Sequence, residues 1–202
     1  MTPAATPDLA AEKGLQRLIE GNQRFMRGAA HFSTVCKETL ATLAKGQRPF
    51  ATVLGCSDSR VPPELIFDAD FGELFVVRIA GNVISPEVTG SLQYAGAYLH
   101  TPLFVVLGHQ GCGAVKAALD TKLDRNKDYS RVRVLVNDIV PGLPDMESHL
   151  SEEELLAKAV EANVRWSISQ METAASQNAI RAGTRLVGAV YEITSGYVRW
   201  LP

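Results

Sequence analysis

The chain has 202 residues, with 20 Lys and Arg against 22 Asp and Glu, for a formal net charge of −2. That length suits a single domain, 1–202, and 46% hydrophobic with 21% charged residues is a globular composition that excludes disorder and fibrous architectures. The near balance of charge gives no electrostatic case for a nucleic acid or an anionic membrane as partner.

The amino terminus, MTPAATPDLAAEKG, carries neither a basic nor an apolar leader region, so a cytoplasmic location is expected. Leu15, Leu18, Ile19, Asn22, Phe25 and Met26 fall on one face of a helix ending near Gly28. Phe50–Leu54 reads as a strand, as do Glu73–Ile79 and Pro102–Leu107, whose near-continuous apolar runs suit strands covered on both faces. Residues 86–100 read as a helix with Pro86 in its first turn. The longest apolar run, Leu103–Leu107, falls far short of the ~20 residues a membrane helix needs. Residues 120–148, polar and carrying Pro141 and Pro144, are expected to be the least structured. Ser151 and Glu154 form a capping-box pattern opening a helix. Its apolar positions Leu156, Val160, Val164, Ile168, Met171, Ala175 and Ala179 step by four and three until Gly183. Leu186–Ile193 supplies a fourth strand. Strands alternating with helices make an α/β domain around a mainly parallel sheet.

Ligands in such sheets gather at the carboxyl ends of strands. There the first strand runs into Gly55-Cys56-Ser57-Asp58-Ser59-Arg60, and the third into Gly108-His109-Gln110-Gly111-Cys112-Gly113. His109 and Cys112, three apart on a turn opening a helix, can grip one ion, with Cys56 closing the set from the neighbouring strand. Two cysteines and a histidine suit a catalytic zinc that keeps a fourth position for water. Cys112 at a helix N-terminus gains thiolate stabilisation. Each residue alone has a plainer reading. A cysteine at a strand end is ordinarily a small buried hydrophobe, and Asp58 with Arg60 an inconsequential ion pair. Cys56 and Cys112 could pair as a disulfide, which a reducing cytoplasm disfavours. Cys36 has no partner pattern. Convergence of five such residues on two strand-end loops favours the metal.

Cys-Ser-Asp-Ser-Arg followed by Gly-His-x-x-Cys-Gly resembles the β-class carbonic anhydrases. The likeness extends from GNQRF through GQRPF, GCSDSRVPPELIFD, GELFVVRIAGN and LGHQGCGAVKAAL to YEITSGYV, and is weakest at 120–148. It implies one zinc per chain on Cys56, His109 and Cys112, and reversible hydration of carbon dioxide to bicarbonate by attack of zinc-bound hydroxide. It implies that Asp58 and Arg60 form the catalytic carboxylate–guanidinium dyad, with Asp58 a zinc ligand only in a closed state. Gln47 matches a glutamine that hydrogen-bonds substrate in the plant-like, open-site subgroup, and the Gly113 amide an oxygen-binding donor. Phe75 and Tyr94 match aromatic positions lining the carbon dioxide pocket across a dimer interface; on their own they read as core packing. The implied fold is a four-stranded mainly parallel sheet flanked by helices, with an added C-terminal antiparallel strand at Tyr197–Leu201. The implied partners are carbon dioxide or bicarbonate and a second copy of the chain, the 1–45 helical arm packing on it, with tetramers or octamers above the dimer. Arg78 and Tyr191 match two positions of an inhibitory bicarbonate site known in another subgroup, where Val53 replaces its tryptophan. None of His31, His100 and His149 stands out as a proton shuttle. Hydrolysis of carbon disulfide or carbonyl sulfide on the same scaffold, and a non-catalytic zinc module, are the competing readings.

Overall fold

The computed structural model describes residues 7–31, 36–125, 130–145, 149–176 and 184–202. Five strands form one sheet in the order β2-β1-β3-β4-β5, with β1 at Ala51–Gly55, β2 at Leu74–Arg78, β3 at Leu103–His109, β4 at Arg185–Tyr191 and β5 at Val198–Trp200. The first four run parallel and β5 pairs antiparallel with β4, as expected. The helices are α1 (Pro7–Met26), α2 (Lys37–Leu43), α3 (Pro63–Ile66), α4 (Pro86–Ala97), α5 (Gly113–Lys122), α6 (Val132–Ile139) and α7 (Glu152–Ser176).

The apolar runs become the centre of the sheet because both their faces are covered. Every residue of β1 and β3 is buried, and β3 alternates between two cores with the period of two a strand imposes. Leu103, Val105 and Leu107 face α1 and α3, packing with Ala11, Leu15, Leu18 and Phe67. Phe104 and Val106 face the opposite layer, with Leu92 of α4, Val115 of α5, Ile139 of α6 and Val164 of α7. The apolar face of α1 thus lies on this chain's own sheet. The ion pairs Glu12–Arg185, Arg17–Glu73 and Arg24–Asp68 fasten its length.

The capping box forms as read: Glu154 accepts the Ser151 backbone N–H at 2.8 Å, and Ser151 Oγ accepts the Glu154 N–H at 3.3 Å. Ala179 and Gly183, read as the end of that helix, lie outside the described residues. One expectation is corrected. Within 120–148 the chain forms the last turn of α5, all of α6 and a 3₁₀ turn at Val140–Gly142. Val132, Leu135, Val136 and Ile139 recur at helical spacing, with Val136 and Ile139 buried, and Pro141 lies beyond α6 rather than breaking it.

Candidate metal centre

β1 and β3 are hydrogen-bonded neighbours in parallel register, Gly55 opposite Leu107. Their carboxyl ends therefore deliver Cys56 and His109 to the same edge, and Cys112 follows as the N-cap of α5. All three side chains are buried, and their ligand atoms lie within 4.8 Å of one another. The two sulfurs are 4.0 Å apart. Tetrahedral zinc with ~2.3 Å bonds to sulfur would hold them about 3.8 Å apart, so the fit requires little movement.

The histidine supplies the decisive test of fit. Its Nδ1 sits 3.0 Å from the Gln110 carbonyl, an acceptor only, so Nδ1 carries the proton and Nε2 the lone pair. That Nε2 is fully buried and has no hydrogen-bond partner among the described residues. A buried acceptor without a donor is costly, and a cation satisfies it. The contact between the sulfurs holds Cys56 well below the ordinary thiol range, while the same contact and burial push Cys112 above it.

Asp58 stands beside this cluster, its Oδ2 3.9 Å from His109 Nε2. It does not turn inward, because Arg60 donates from Nε to Oδ1 and from Nη2 to Oδ2. Those bonds, chiefly the side-chain ones, hold its carboxyl well below the usual carboxylate range. Arg78, at the end of β2, donates from Nε to the Cys56 carbonyl at 2.9 Å and from Nη2 to the Asp58 carbonyl at 2.6 Å. Arg78 thus clasps the backbone of the loop that carries a ligand and the carboxylate.

The profile of the carbonic anhydrase family matches residues 51–198. A carbonic anhydrase of Mycolicibacterium smegmatis is 40% identical over 199 residues, covering 97% of this chain and 94% of that protein. Carbonic anhydrase 2 of Mycobacterium tuberculosis is 39% identical, covering 95% and 91%. The chain belongs to the carbonic anhydrase family. Among solved structures, the β-carbonic anhydrase CafA of Aspergillus fumigatus superposes with a TM-score of 0.69 at 26% identity, covering 94% of this chain and 89% of that one. A Coccomyxa β-carbonic anhydrase solved with acetazolamide gives 0.65 at 26% identity, covering 93% and 86%. This carbonic anhydrase is accordingly a β-class zinc enzyme that hydrates carbon dioxide, and Cys56, His109 and Cys112 are the residues fitted to hold its metal.

The other residues implicated by resemblance are scattered. Gly113 opens α5 next to Cys112, where its N–H has no helical acceptor. Phe75 and Tyr94 stand together, ring centroids 6.0 Å apart, and Tyr94 stacks on Tyr98 at 5.3 Å. Gln47 is exposed and precedes β1 at its amino end, opposite the end that carries Cys56, so its own chain does not bring it to the cluster. Val53 is fully buried in β1, and Tyr191 is buried at the end of β4, opposite His109 in register. His31 pairs with Asp68, and the His100 Nδ1 contacts the Gly96 carbonyl.

Proposed function

We propose that this carbonic anhydrase works with an open metal site, in which Asp58 stays clear of the zinc and Arg60 keeps it there. When bound, zinc supplies Lewis acidity that makes water a nucleophile near neutral pH. The chain's residues then orient and stabilise. Asp58, ionised and fixed by two side-chain bonds from Arg60, accepts a hydrogen bond from the attacking water and aims its lone pair at the carbon. The Gly113 amide at the start of α5 is a donor for the oxygen charge that builds as bicarbonate forms. The Arg60–Asp58 pair beside an otherwise unpartnered His109 Nε2 is the observation that carries this reading.

Gln47, Phe75 and Tyr94 enter as substrate-binding residues through a second copy of the chain. Three features support self-association. β2 is an edge strand whose residues are at most half-buried. Tyr94 and Tyr98 are exposed beside it. The β-carbonic anhydrases solved from Sordaria macrospora, which share the fold, are tetrameric. An unpaired apolar strand edge flanked by exposed rings is a surface that seeks a partner. Gln47 and the paired Asp58 also align this chain with the plant-like subgroup. Cytoplasmic residence fits its three free cysteines. Among the described residues no helix is long and apolar enough to cross a membrane.

Stopped-flow measurement of carbon dioxide hydration, before and after chelation and after zinc is restored, tests the function. Activity should vanish with the metal and return with it. Turnover of carbon disulfide with no hydration would point to the hydrolase, and metal uptake with no turnover of either to a structural module.

A further inference from the structure

Behind the metal ligands lies a buried polar chain that the reaction does not call on directly. It starts on α7 and ends on a sulfur. Asn163 Nδ2 donates to the Gly81 carbonyl at 2.8 Å. One turn further along α7, Ser167 Oγ donates to the Asn82 carbonyl at 2.9 Å. Gly81 and Asn82 belong to the 3₁₀ turn Ala80–Asn82 that follows β2, and the Gly81 N–H points at Cys56 Sγ, 3.4 Å away.

The turn has little freedom. Gly81 and Asn82 are consecutive residues at positive φ, 71° and 45°, a conformation that glycine and asparagine tolerate best. At one end the Ile79 N–H is bonded to the Gly55 carbonyl of β1, and the Ile79 carbonyl accepts the Asn82 N–H. At the other end α7 holds the two carbonyls. The Gly81 amide between these anchors is thereby fixed towards the sulfur. A side chain on Gly81 would come within 2.7 Å of Ile139 Cδ1, so the backbone passes too close to α6 to shift outward.

Asn163 is 1% exposed, and its Oδ1 has no partner among the described residues. A buried amide with its acceptor unmet is destabilising where it stands. What its site gains is one donor, spent on Gly81. We propose that Asn163, seconded by Ser167, is a positioning residue for the metal: through Gly81 it sets the N–H···S bond that tunes the donor strength of the Cys56 thiolate. The inference rests on the zinc reading of Cys56, His109 and Cys112 and adds to it a residue about fifty positions beyond the last ligand. A hydrogen bond to a ligating thiolate draws charge off the sulfur and fixes its direction, and outer-shell partners of this kind govern affinity.

Cobalt(II) in place of zinc makes the sulfur visible, because its thiolate-to-metal absorption band moves to lower energy when sulfur loses a hydrogen bond. Asn163→Leu keeps nearly the same shape and removes the donor. Asn163→Asp keeps the outline, and Ser167→Ala loosens the next carbonyl. Met171→Ala, a buried truncation further along α7, is the packing control. In the Asn163 variants the cobalt band should shift to longer wavelength, and zinc should be lost to a chelator about 10-fold faster, from the usual weight of such partners. Ser167→Ala should move both in the same direction by less, and Met171→Ala should lower thermal stability with neither change. If the leucine variant does not fold, the aspartate and serine variants decide. Band and release rate equal to wild type in folded variants, or equal effects from Met171→Ala, would overturn the positioning role while leaving the metal site standing. Wild-type protein that takes up cobalt with no thiolate band would overturn the metal reading itself, and the inference with it.

Discussion

Arg60 reaches back only two residues to grip Asp58 at both carboxylate oxygens, at 2.9 Å and 2.7 Å, and adds its own backbone N–H at 2.9 Å. Removing the guanidinium leaves Asp58 charged at neutral pH, since even an unperturbed aspartate titrates near ~3.9. What is lost is aim, not charge. Asp58 lies close enough to His109 Nε2 to swing onto the metal. Arg60→Ala should therefore retain its zinc by elemental analysis and lose about 10²-fold in hydration rate. A variant with wild-type turnover would contradict the open-site assignment.

Cys112 caps α5 and is 1% exposed, so Cys112→Ser changes one ligand atom and little volume. A serine hydroxyl is a poor substitute for a soft thiolate. The variant should purify with little zinc and no measurable hydration. Full occupancy with normal turnover would remove Cys112 from the ligand set.

Asp68 follows α3 at a positive φ of 45° and gathers Arg24 Nε at 2.5 Å and the His31 N–H at 2.7 Å. Burial alone would raise its carboxyl, but the bonds from Arg24 and His31 outweigh it and leave it lowered. A carboxyl lowered by folding contributes stability above its unfolded value of ~3.9, and that contribution disappears as pH falls through the folded value. Asp68→Asn keeps the tolerance for positive φ and removes the charge. It should cost about 2 kcal/mol at pH 7, with the difference from wild type shrinking below about pH 4. Urea unfolding at the two pH values measures both.

Tyr94 is 45% exposed, stacked on Tyr98 beside the β2 edge. If that face meets a second copy, Tyr94→Arg should sediment as a smaller species and lose activity in parallel. An active monomer, or unchanged assembly, would exclude this face as the interface.

Bicarbonate inhibition separates the subgroups. The Arg78 guanidinium is already engaged with the Cys56 and Asp58 carbonyls, and the side chain of Val53, matched only by resemblance to a tryptophan of the other subgroup, offers no N–H donor. Inhibition by bicarbonate should follow a simple hyperbola, with no steepening at lower pH. Sigmoidal inhibition would show that the anion pocket forms after all.

The strands could be read because the central ones are buried on both sides, which concentrates β-branched and aromatic residues into runs such as LFVVL. α2 could not, since KETLATL buries no residue and so leaves no apolar stripe. α6 carried a clear stripe that the prolines beyond it masked: Pro141 marks where the helix stops. The ligands were legible because chemistry at strand ends is local in sequence. Asn163 was not. It interrupts the apolar side of α7 one residue before Val164, a polar group at a buried position, and only the return of α7 over the 3₁₀ turn tells what it holds.

Cys56 follows β1, while His109 ends β3 and Cys112 caps α5. A metal shared among them is thus a cross-link that closes the chain between 56 and 109 into a ring containing β2, the 3₁₀ turn and α4. Such closure restricts the unfolded chain more than the folded one, so the ion acts as a staple for this segment as well as a reactant's neighbour. Phe75 and Tyr94 both ride on that ring. Stripping the metal should therefore loosen the surface through which two copies would meet, tying assembly to zinc supply.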